Sequence, residues 1–397
     1  MIRLLTFTNL YPDPVRPRHG IFVEHRLRKL VATGKVEAQV VCPVPWCPLP
    51  LNKKCTQYRI HDVPLKEVRD GIVVHRPRYW VVPGITSAIN PWSMARVGMA
   101  MIKNIVREGY DFDVIDAQYV YPDGIAGALI AAKLGKPVTF TARGSDVNVA
   151  LRQGIPTRWF RHVQQQVAAF ISVSEALKSG LINAGADPVR VHVIRNGVDL
   201  ELFSERDRLY VKQRLQINKK TILSVGNLIY EKGHHLVIQA MTQLPQVELI
   251  IIGSGIQLSF LQSLAMRLNV ADRIRWVSHV NQSQLAEFYS AAEVTVLASS
   301  REGMPNVLLE SLACGTPVVA TDVGGSAEIV ADAAAGLLIQ EHSATAIAKA
   351  VKKLLDYPLE RAATRAYALR FSWHNPITQQ VALLEQVVAE HKLKRAG

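Results

Sequence analysis

The sequence predicts an α/β protein built from two doubly wound, parallel β-sheets. Apolar runs such as VELIIIGSG alternate with helical segments such as LSFLQSLAMRLN along most of the chain, which is the pattern of a parallel sheet. An Asn196-Gly197 turn and the charged segment ERDRLYVKQRLQINKK interrupt this alternation near the middle. Because 397 residues suffice for two domains, we predict a first domain over 1–204 and a second over 205–373.

Composition limits where the protein is expected to act. The sequence has 49% hydrophobic residues but no apolar run of 18 or more, and its first apolar stretch ends early, at Pro12. We therefore expect a cytoplasmic protein without a membrane span or signal peptide. The four cysteines, Cys42, Cys47, Cys55 and Cys314, lack zinc-type spacing and are expected to be reduced thiols.

Positive charge is concentrated in the first half of the chain. Residues 1–200 contain 26 Lys and Arg against 15 Asp and Glu, a net charge of +11, whereas residues 201–397 have a net charge of +2. A nucleic acid, an anionic membrane face or a substrate with a diphosphate would each complement this charge. The sequence contains no zinc-finger, KH or RRM signature, so we expect no nucleic acid as partner.

The stretch Ser300–Gly325 carries the most specific pattern. A strand within Ala291–Ser299 leads into a loop with Gly303 and Pro305, which begins the helix NVLLESLACG at Pro305 and Asn306. Free N–H groups and the helix dipole then meet at the edge where open α/β sheets bind ligands. This junction predicts an anion site, with phosphate as the expected ligand.

Two glutamates lie on either side of this junction, Glu302 on the loop and Glu310 within the helix. Apolar neighbours surround Glu310 in NVLLESLA, so its carboxylate needs a hydroxyl or N–H partner. The alternative is an ordinary strand-helix corner with Glu310 in a structural ion pair. Two further strand-loop-helix junctions, at Gly20 and at Lys232-Gly233, have the same phosphate-binding pattern.

These residues resemble the retaining nucleotide-sugar glycosyltransferases of the GT-B fold, family 4 (glycosyl transferases group 1). The same resemblance is seen in the segments GMPN and CGTPVVATDVGG and in the Asn-Gly-Val-Asp turn at 196–199. The resemblance implies two Rossmann-like domains facing a cleft. Residues 1–204 would bind the acceptor and residues 205–373 the donor. The last helix, 374–397, would cross back onto the first domain, with a break near Pro376.

The resemblance also implies roles for individual residues. Glu302 would contact the transferred sugar, Glu310 the ribose and Lys232 the leaving diphosphate. The implied catalytic set is Glu302, Lys232, Arg143 and Asp146. The implied donor-binding set is Gly20, Gly226, Asn227, Lys232, Gly253, Gly255, His279, Val280, Gly303, Met304, Pro305, Asn306, Val307 and Glu310. We expect a UDP- or GDP-sugar as donor, with no metal ion and no cofactor.

Two positions depart from the family pattern. Arg143 stands where these enzymes usually have histidine, which removes an imidazole acid or base but leaves a guanidinium able to grip phosphate or carboxylate. Asn227 stands where an arginine is usual, so one of two expected cations at the diphosphate is missing. The Asp111-Phe112-Asp113 triplet superficially resembles a metal motif of another glycosyltransferase fold, and we assign it no metal.

The expected partners are a nucleotide-sugar and a saccharide acceptor, which we take to be lipid-linked. The segment from Trp80 to Met101 mixes aromatic, Met and basic residues; it predicts either a core helix preceded by a loop or a surface that enters a bilayer. With Arg152, Arg158 and Arg161 it could contact an anionic membrane on its cytoplasmic face.

The sequence therefore favours a retaining hexosyltransferase of cell-surface polysaccharide or glycolipid biosynthesis. Two alternatives remain open at this point. One is a GT-B nucleotide-sugar epimerase or phosphorylase, and the other is a non-catalytic carbohydrate-binding relic, which the changes at Arg143 and Asn227 would suit.

Overall fold

The computed structural model describes residues 1–46, 62–81, 90–278 and 280–396. The chain divides into two compact units. The first comprises Met1–Arg195 and Asn375–Gly397, and the second comprises Asn196–His374.

The first unit is organised around an eight-stranded sheet in its described residues, with the order β10-β9-β8-β7-β1-β2-β5-β4. All neighbours pair in parallel except β4 and β5, and β3 and β6 form a separate parallel pair. The strands are β1 (Ile2–Phe7), β2 (Val36–Val41), β3 (Val44–Trp46), β4 (Lys66–Arg69), β5 (Ile72–His75), β6 (Arg78–Trp80), β7 (Val114–Gln118), β8 (Val138–Ala142), β9 (Ala169–Ser172) and β10 (Val191–Val193).

Helices surround this sheet and bury its apolar strands, so that Leu5, Phe7 and Phe140 are inaccessible to solvent. They are α1 (Ile21–Val31), α2 (Asn90–Arg107), α3 (Ile125–Leu134), α4 (Ser145–Asn148), α5 (Gly154–Val163) and α6 (Glu175–Ala184). The sequence predicts Ser174 as the N-cap of α6, and this is confirmed, because the N–H of Leu177 donates to Ser174 Oγ at 3.3 Å.

Strand β4 corrects one expectation. The polar stretch up to Arg69 reads as a loop, but Lys66–Arg69 pairs antiparallel with β5 at the edge of the sheet. Its residues are half-buried or exposed and mostly charged, as is common for edge strands, so no apolar alternation marks it in the sequence.

The second unit contains a six-stranded, fully parallel sheet in its described residues, in the order β13-β12-β11-β14-β15-β16. Numbered within the unit this is 3-2-1-4-5-6, the order of dinucleotide-binding folds, and it reverses between β11 and β14. The strands are β11 (Lys220–Val225), β12 (Val247–Ile252), β13 (Ile274–Val277), β14 (Val294–Leu297), β15 (Val318–Thr321) and β16 (Gly336–Ile339). The predicted doubly wound α/β class is thus confirmed.

Helices alternate with the strands along most of this unit. They are α7 (Arg208–Arg214), α8 (His234–Ala240), α9 (Leu258–Arg267), α10 (Gln282–Ala291), α11 (Asn306–Ala313), α12 (Ser326–Ile329), α13 (Ala344–Asp356) and α14 (Arg361–Ala368). The charged segment after the Asn196-Gly197 turn contains α7, capped by Asp207, which accepts a hydrogen bond from the N–H of Tyr210 at 3.0 Å. The turn itself belongs to the second unit, where the N–H of Val198 donates to Phe371 O at 2.9 Å.

The carboxyl-terminal helix α15 (His374–Ala396) is continuous, so the predicted break near Pro376 is wrong. Pro376 lies in the first turn, where a missing N–H leaves no intrahelical bond unmade. The helix contacts the first unit: Arg26 Nε donates to Gln380 Oε1 at 2.6 Å, and His391 Nε2 lies 2.9 Å from Gly135 O.

The segment from Trp80 to Met101 is described only in part, since residues 82–89 lie outside the described residues. Helix α2 begins at Asn90 and buries Met94, whereas Trp80 and Trp92 are 61% and 55% exposed. Among the helices that the structure describes, none has the length and apolar character needed to cross a bilayer.

Candidate active site

The reversal of strand order brings together two loops that are distant in sequence. The loop after β11 ends in a short turn at Tyr230–Lys232, and the loop after β14 carries Glu302. Lys232 Nζ donates to Glu302 Oε1 at 2.6 Å, and Ser299 Oγ donates to the same oxygen at 2.7 Å. Lys232 is therefore held directly against Glu302, the first glutamate of the motif, a pairing that the sequence does not reveal.

Additional contacts fasten these two loops to each other. The N–H of Ser300 donates to Glu231 O at 2.8 Å, and Arg301 pairs with the Glu231 carboxylate at 2.6 Å. Gly233 has a φ of +68°, and a Cβ at this position would lie 1.8 Å from Ala298 O. The geometry of the Lys232–Glu302 pair thus depends on a glycine that allows close backbone approach.

We expect Gly233→Ala to destabilise the second unit by several kcal/mol and to displace Lys232, because the new methyl group cannot fit beside the Ala298 carbonyl. Gly34→Ala is the matched control: Gly34 has a φ of +70°, but a Cβ there would meet nothing within 4 Å. The control should cost about 1 kcal/mol. Thermal unfolding of both variants measures the difference, and equal losses would contradict the steric argument.

The predicted helix start is present. Pro305 occupies the N-cap of α11, and Asn306 begins the helix. The Asn196-Gly197 turn supports this junction, since Asn196 Nδ2 donates to Asn306 Oδ1 at 3.0 Å and the N–H of Asn196 lies 3.2 Å from Met304 Sδ. Gly303 and Pro305 are buried and Val307 is half-buried. The loop before α11 is therefore fixed in place, and the free amides of the first turn of α11 follow it directly.

Glu310 lies on α11 between inaccessible leucines, Leu308, Leu309 and Leu312. The hydroxyl partner that its environment requires is Tyr289, whose Oη donates to Glu310 Oε2 at 3.0 Å. Desolvation raises the pKa of Glu310 to about 7, although part of its surface remains accessible. A carboxylate in such a position can accept further hydrogen bonds from a ligand hydroxyl.

The remaining loops of this sheet edge lie close together. A Cβ at Gly253 would lie 1.9 Å from Gly226 O, and one at Gly255 would lie 2.4 Å from Leu228 O. The loop after β12 therefore packs directly on the loop that carries Asn227. Val280 is half-buried beyond β13, and His279, one of the predicted donor residues, lies outside the described residues.

His234, next to Gly233, was not predicted as a site residue. It is 2% exposed, and its Nδ1 lies 2.9 Å from Ser224 Oγ. Burial lowers its pKa to about 4, so the imidazole is neutral at physiological pH. Its position against the Gly226 backbone supports the loop beside Lys232.

In the first unit, the predicted residues Arg143 and Asp146 are neighbours with different surroundings. Asp146 is buried, and its carboxylate accepts hydrogen bonds from the N–H groups of Gly144 at 2.7 Å and Val120 at 2.8 Å. Its oxygens thereby hold the loops after β7 and β8 in place.

Arg143 presents a guanidinium near the start of α1. It donates to Gln118 Oε1 and lies 5.4 Å from the centre of the Phe22 ring. Burial lowers the pKa of Arg143 to about 10, so it remains charged at neutral pH.

Gly20, at the N-cap of α1, has a φ of +70°, and a Cβ there would lie 2.2 Å from the Leu10 carbonyl carbon. The close approach that requires glycine is thus to the protein's own loop. Within that loop Arg16 pairs with Asp13 at 2.8 Å, and His19 Nε2 lies 2.9 Å from Asn9 O.

The Asp111–Asp113 turn makes ordinary structural contacts. Lys136 Nζ donates to Asp111 Oδ1 at 2.8 Å, and the N–H of Arg3 donates to Asp113 Oδ2 at 2.9 Å. Across the described part of the chain, no three His, Cys, Asp or Glu side chains cluster in a way that could hold a metal ion. Cys42 and Cys314 are buried free thiols.

Known proteins resemble this chain in both sequence and fold. The family described as Glycosyltransferase Family 4 matches residues 20–202, and Glycosyl transferases group 1 matches residues 205–371. The D-inositol 3-phosphate glycosyltransferase of Acidothermus cellulolyticus is 30% identical over 314 residues, covering 72% of this chain and 70% of that protein. TuaC of Bacillus subtilis, named as a teichuronic acid biosynthesis glycosyltransferase, is 29% identical over 360 residues, 89% of each chain.

Solved structures agree on the fold. Sucrose-phosphate synthase from Thermosynechococcus elongatus superposes with a TM-score of 0.79 at 19% identity, over 98% of this chain and 100% of that one. Anabaena HepE in complex with UDP and glucose gives 0.72 at 19% identity, over 97% and 100%. The chain belongs to the family 4 glycosyltransferases of GT-B type, and the resemblance found in its sequence is confirmed.

Proposed function

We propose that this glycosyltransferase transfers a hexosyl-type sugar from a UDP- or GDP-sugar to a saccharide acceptor with retention of anomeric configuration. The observation that carries the proposal is the Lys232–Glu302 pair, placed beside the start of α11 where the strand order reverses. Solved structures of Anabaena HepE with UDP and with UDP-glucose, which share the fold, support a nucleotide-sugar donor.

The donor would lie along the edge formed by the loops after β11 and β14. The diphosphate would accept hydrogen bonds from the first-turn amides of α11 and from Lys232. Glu310 would accept a ribose hydroxyl, and Glu302 a hydroxyl of the transferred sugar. Because Asn227 replaces the usual arginine, Lys232 would provide most of the side-chain charge at the diphosphate.

In the proposed reaction the bond from the sugar C1 to the diphosphate oxygen breaks, and a bond from C1 to the acceptor oxygen forms on the same face. The acceptor proton passes to the departing diphosphate. Lys232, already positioned by Glu302 and Ser299, would stabilise the negative charge that develops on that group. The backbone amides of the first turn of α11 would add to this stabilisation, and they would not have to move as the charge develops.

For the acceptor we propose a saccharide linked to a lipid carrier, bound by the basic first unit. Its Arg143 guanidinium would hold an anionic part of the acceptor, and Asp146 would keep the loop in place. The names of TuaC and of WaaG, the latter a glycosyltransferase involved in lipopolysaccharide biosynthesis, support a role in cell-surface polysaccharide or glycolipid biosynthesis.

The test uses a panel of UDP- and GDP-sugars. Each is assayed first for thermal stabilisation of the protein and then for transfer of its sugar to an acceptor. We expect one donor to stabilise the parent protein and to yield a product, and NMR would establish the anomeric configuration of that product. Glu302→Gln is expected to abolish product formation. Conversion of the donor without an acceptor would indicate an epimerase, and dependence on free phosphate a phosphorylase. Binding without any product would indicate a non-catalytic relic.

Glu310→Ala is expected to raise the donor KM more than it lowers kcat, because a ribose contact changes little between the ground state and the transition state. Steady-state kinetics with the donor identified by the panel measures this. Glu341→Ala, at an exposed position, is the control. An unchanged KM would contradict the ribose contact.

We further propose that the first unit contacts the anionic cytoplasmic face of the plasma membrane without a membrane anchor. The exposed Trp80 and Trp92 side chains could enter the interface, while Arg152, Arg158 and Arg161 are exposed and basic. Each basic residue near such a surface contributes about 1 kcal/mol.

Binding to vesicles should therefore depend on both lipid charge and salt. We expect co-sedimentation with anionic vesicles at low ionic strength and its loss near about 1 M salt, where screening acts over roughly 3 Å. Neutral vesicles should bind little protein. Equal binding to both lipids, or to neither, would contradict the membrane proposal without affecting the glycosyltransferase assignment.

A further inference from the structure

The first unit contains a pocket that the donor chemistry does not use. It lies between α5 and α6, beside α4, and has a volume of about 360 Å³. We call it the α5–α6 pocket. Its lining residues are Val147, Asn148, Leu151, Arg152, Thr157, Arg161, Ala176, Ser179, Gly180, Asn183 and Ala184.

The charge in this pocket is entirely positive. Arg152 and Arg161 line it, no Asp or Glu does, and neither guanidinium has an acidic partner among the described residues. The nearby carboxylates are engaged elsewhere. Asp146 is buried against backbone amides, and Glu175 lies 3.8 Å from Arg195. An anion could therefore enter without displacing an internal ion pair.

Other groups of the wall suit an oxygen-rich anion. Ser179 and Asn183 provide a hydroxyl and an amide on α6, four residues and about one helical turn apart. Ala176 places the first turn of α6, with its positive dipole end, at the same pocket. Val147 and Leu151 are buried and form an apolar floor.

We infer that the α5–α6 pocket binds a phosphate group, as a phosphomonoester or phosphodiester carried by a saccharide or by a lipid headgroup. Two guanidinium groups can hold phosphate oxygens in bidentate fashion. A volume of about 360 Å³ exceeds a phosphate and leaves room for an attached sugar or glycerol unit. All of its lining residues belong to the first unit, and the inference does not depend on the donor.

The test uses the full chain with UDP present, so that phosphate probes do not compete for the donor edge. The probes are glucose 1-phosphate, titrated by calorimetry, and vesicles of phosphatidylglycerol against phosphatidylcholine. Arg152→Gln/Arg161→Gln removes the charge of the pocket. Arg107→Gln is the matched control, because Arg107 is an exposed arginine of the first unit that neither lines the pocket nor belongs to the proposed membrane surface.

We expect the double variant to bind the phosphate probe at least about tenfold more weakly, as expected for lost charge-assisted hydrogen bonds, and the control to change by less than about twofold. Ser179→Leu, an exposed substitution that reduces the space without changing charge, should also weaken binding. Loss confined to vesicles would identify a lipid headgroup as the source, and loss confined to glucose 1-phosphate a soluble phosphorylated saccharide.

No effect of the double variant on either probe would overturn the inference. So would losses with Arg107→Gln that reach half those of the double variant, because general electrostatic attraction would then explain the binding. Thermal unfolding and UDP binding are measured on each variant. Unchanged UDP binding shows that the second unit is intact, so failure at the pocket can be distinguished from failure of the proposed transfer reaction.

Discussion

Lys232→Ala is expected to lower kcat by about tenfold or more. In the proposed reaction Lys232 would contact the leaving diphosphate, on which negative charge grows in the transition state. The donor KM should change less, because this charge is smaller in the ground state. Lys349→Ala, at an exposed position on α13, is the control for loss of a lysine. Activity equal to that of the parent would remove Lys232 from the site.

The same pair allows a sharper measurement. Because Lys232 and Glu302 are in direct contact, their substitutions should not be additive. We expect the double variant Lys232→Ala/Glu302→Gln to lose less free energy of unfolding than the sum of the two single losses. Simple addition of the single losses would show that the two side chains act independently.

Glu310→Gln is expected to stabilise the protein at pH 8 and to have a much smaller effect at pH 4.5. Burial raises the pKa of Glu310 to about 7 from an ordinary value of 4.5. The folded state therefore binds the proton more tightly than the unfolded state, and this contribution to stability decreases as the pH rises from 4.5 to 7. The full difference is at most about 3 kcal/mol.

The measurement is the free energy of unfolding of parent and variant at several pH values, with Glu341→Gln as an exposed control. Glutamine can still accept the hydrogen bond from Tyr289. The variant therefore removes the titrating charge of Glu310 and keeps its contact with Tyr289. A stability difference that is constant between pH 4.5 and 8 would show that Glu310 does not titrate in this range.

Local features of the fold could be predicted from the sequence. The start of α11 at Pro305 and Asn306 and the cap of α6 at Ser174 depend on residues within one or two turns, and the structure places both as expected. Strand β4 could not be predicted, because its hydrogen-bond partners lie in β5 and its side chains lack an apolar pattern. Pro376 was misinterpreted because its effect depends on where in the helix it lies.

The candidate site could be predicted only in its motif residues. Glu302, Glu310 and Lys232 are recognisable in the sequence, but Tyr289 and His234 carry no signal that distinguishes them from core residues. The hydroxyl of Tyr289 becomes a partner for Glu310 only when α10 packs beside α11. The neutral state of His234 likewise follows from burial.

The sequence by itself determined the fold class, the family and the side chains available for chemistry, because strand-helix alternation and the Glu302–Glu310 motif are local patterns. Only the tertiary structure decided which of these side chains meet. Lys232 and Glu302 are 70 positions apart, and they pair because β11 lies next to β14 while β12 and β13 lie on its other side. The surroundings of Asp146, Arg152 and Arg161 were decided in the same way, because packing brings backbone amides to Asp146 but no acidic side chain of the described residues to the two arginines.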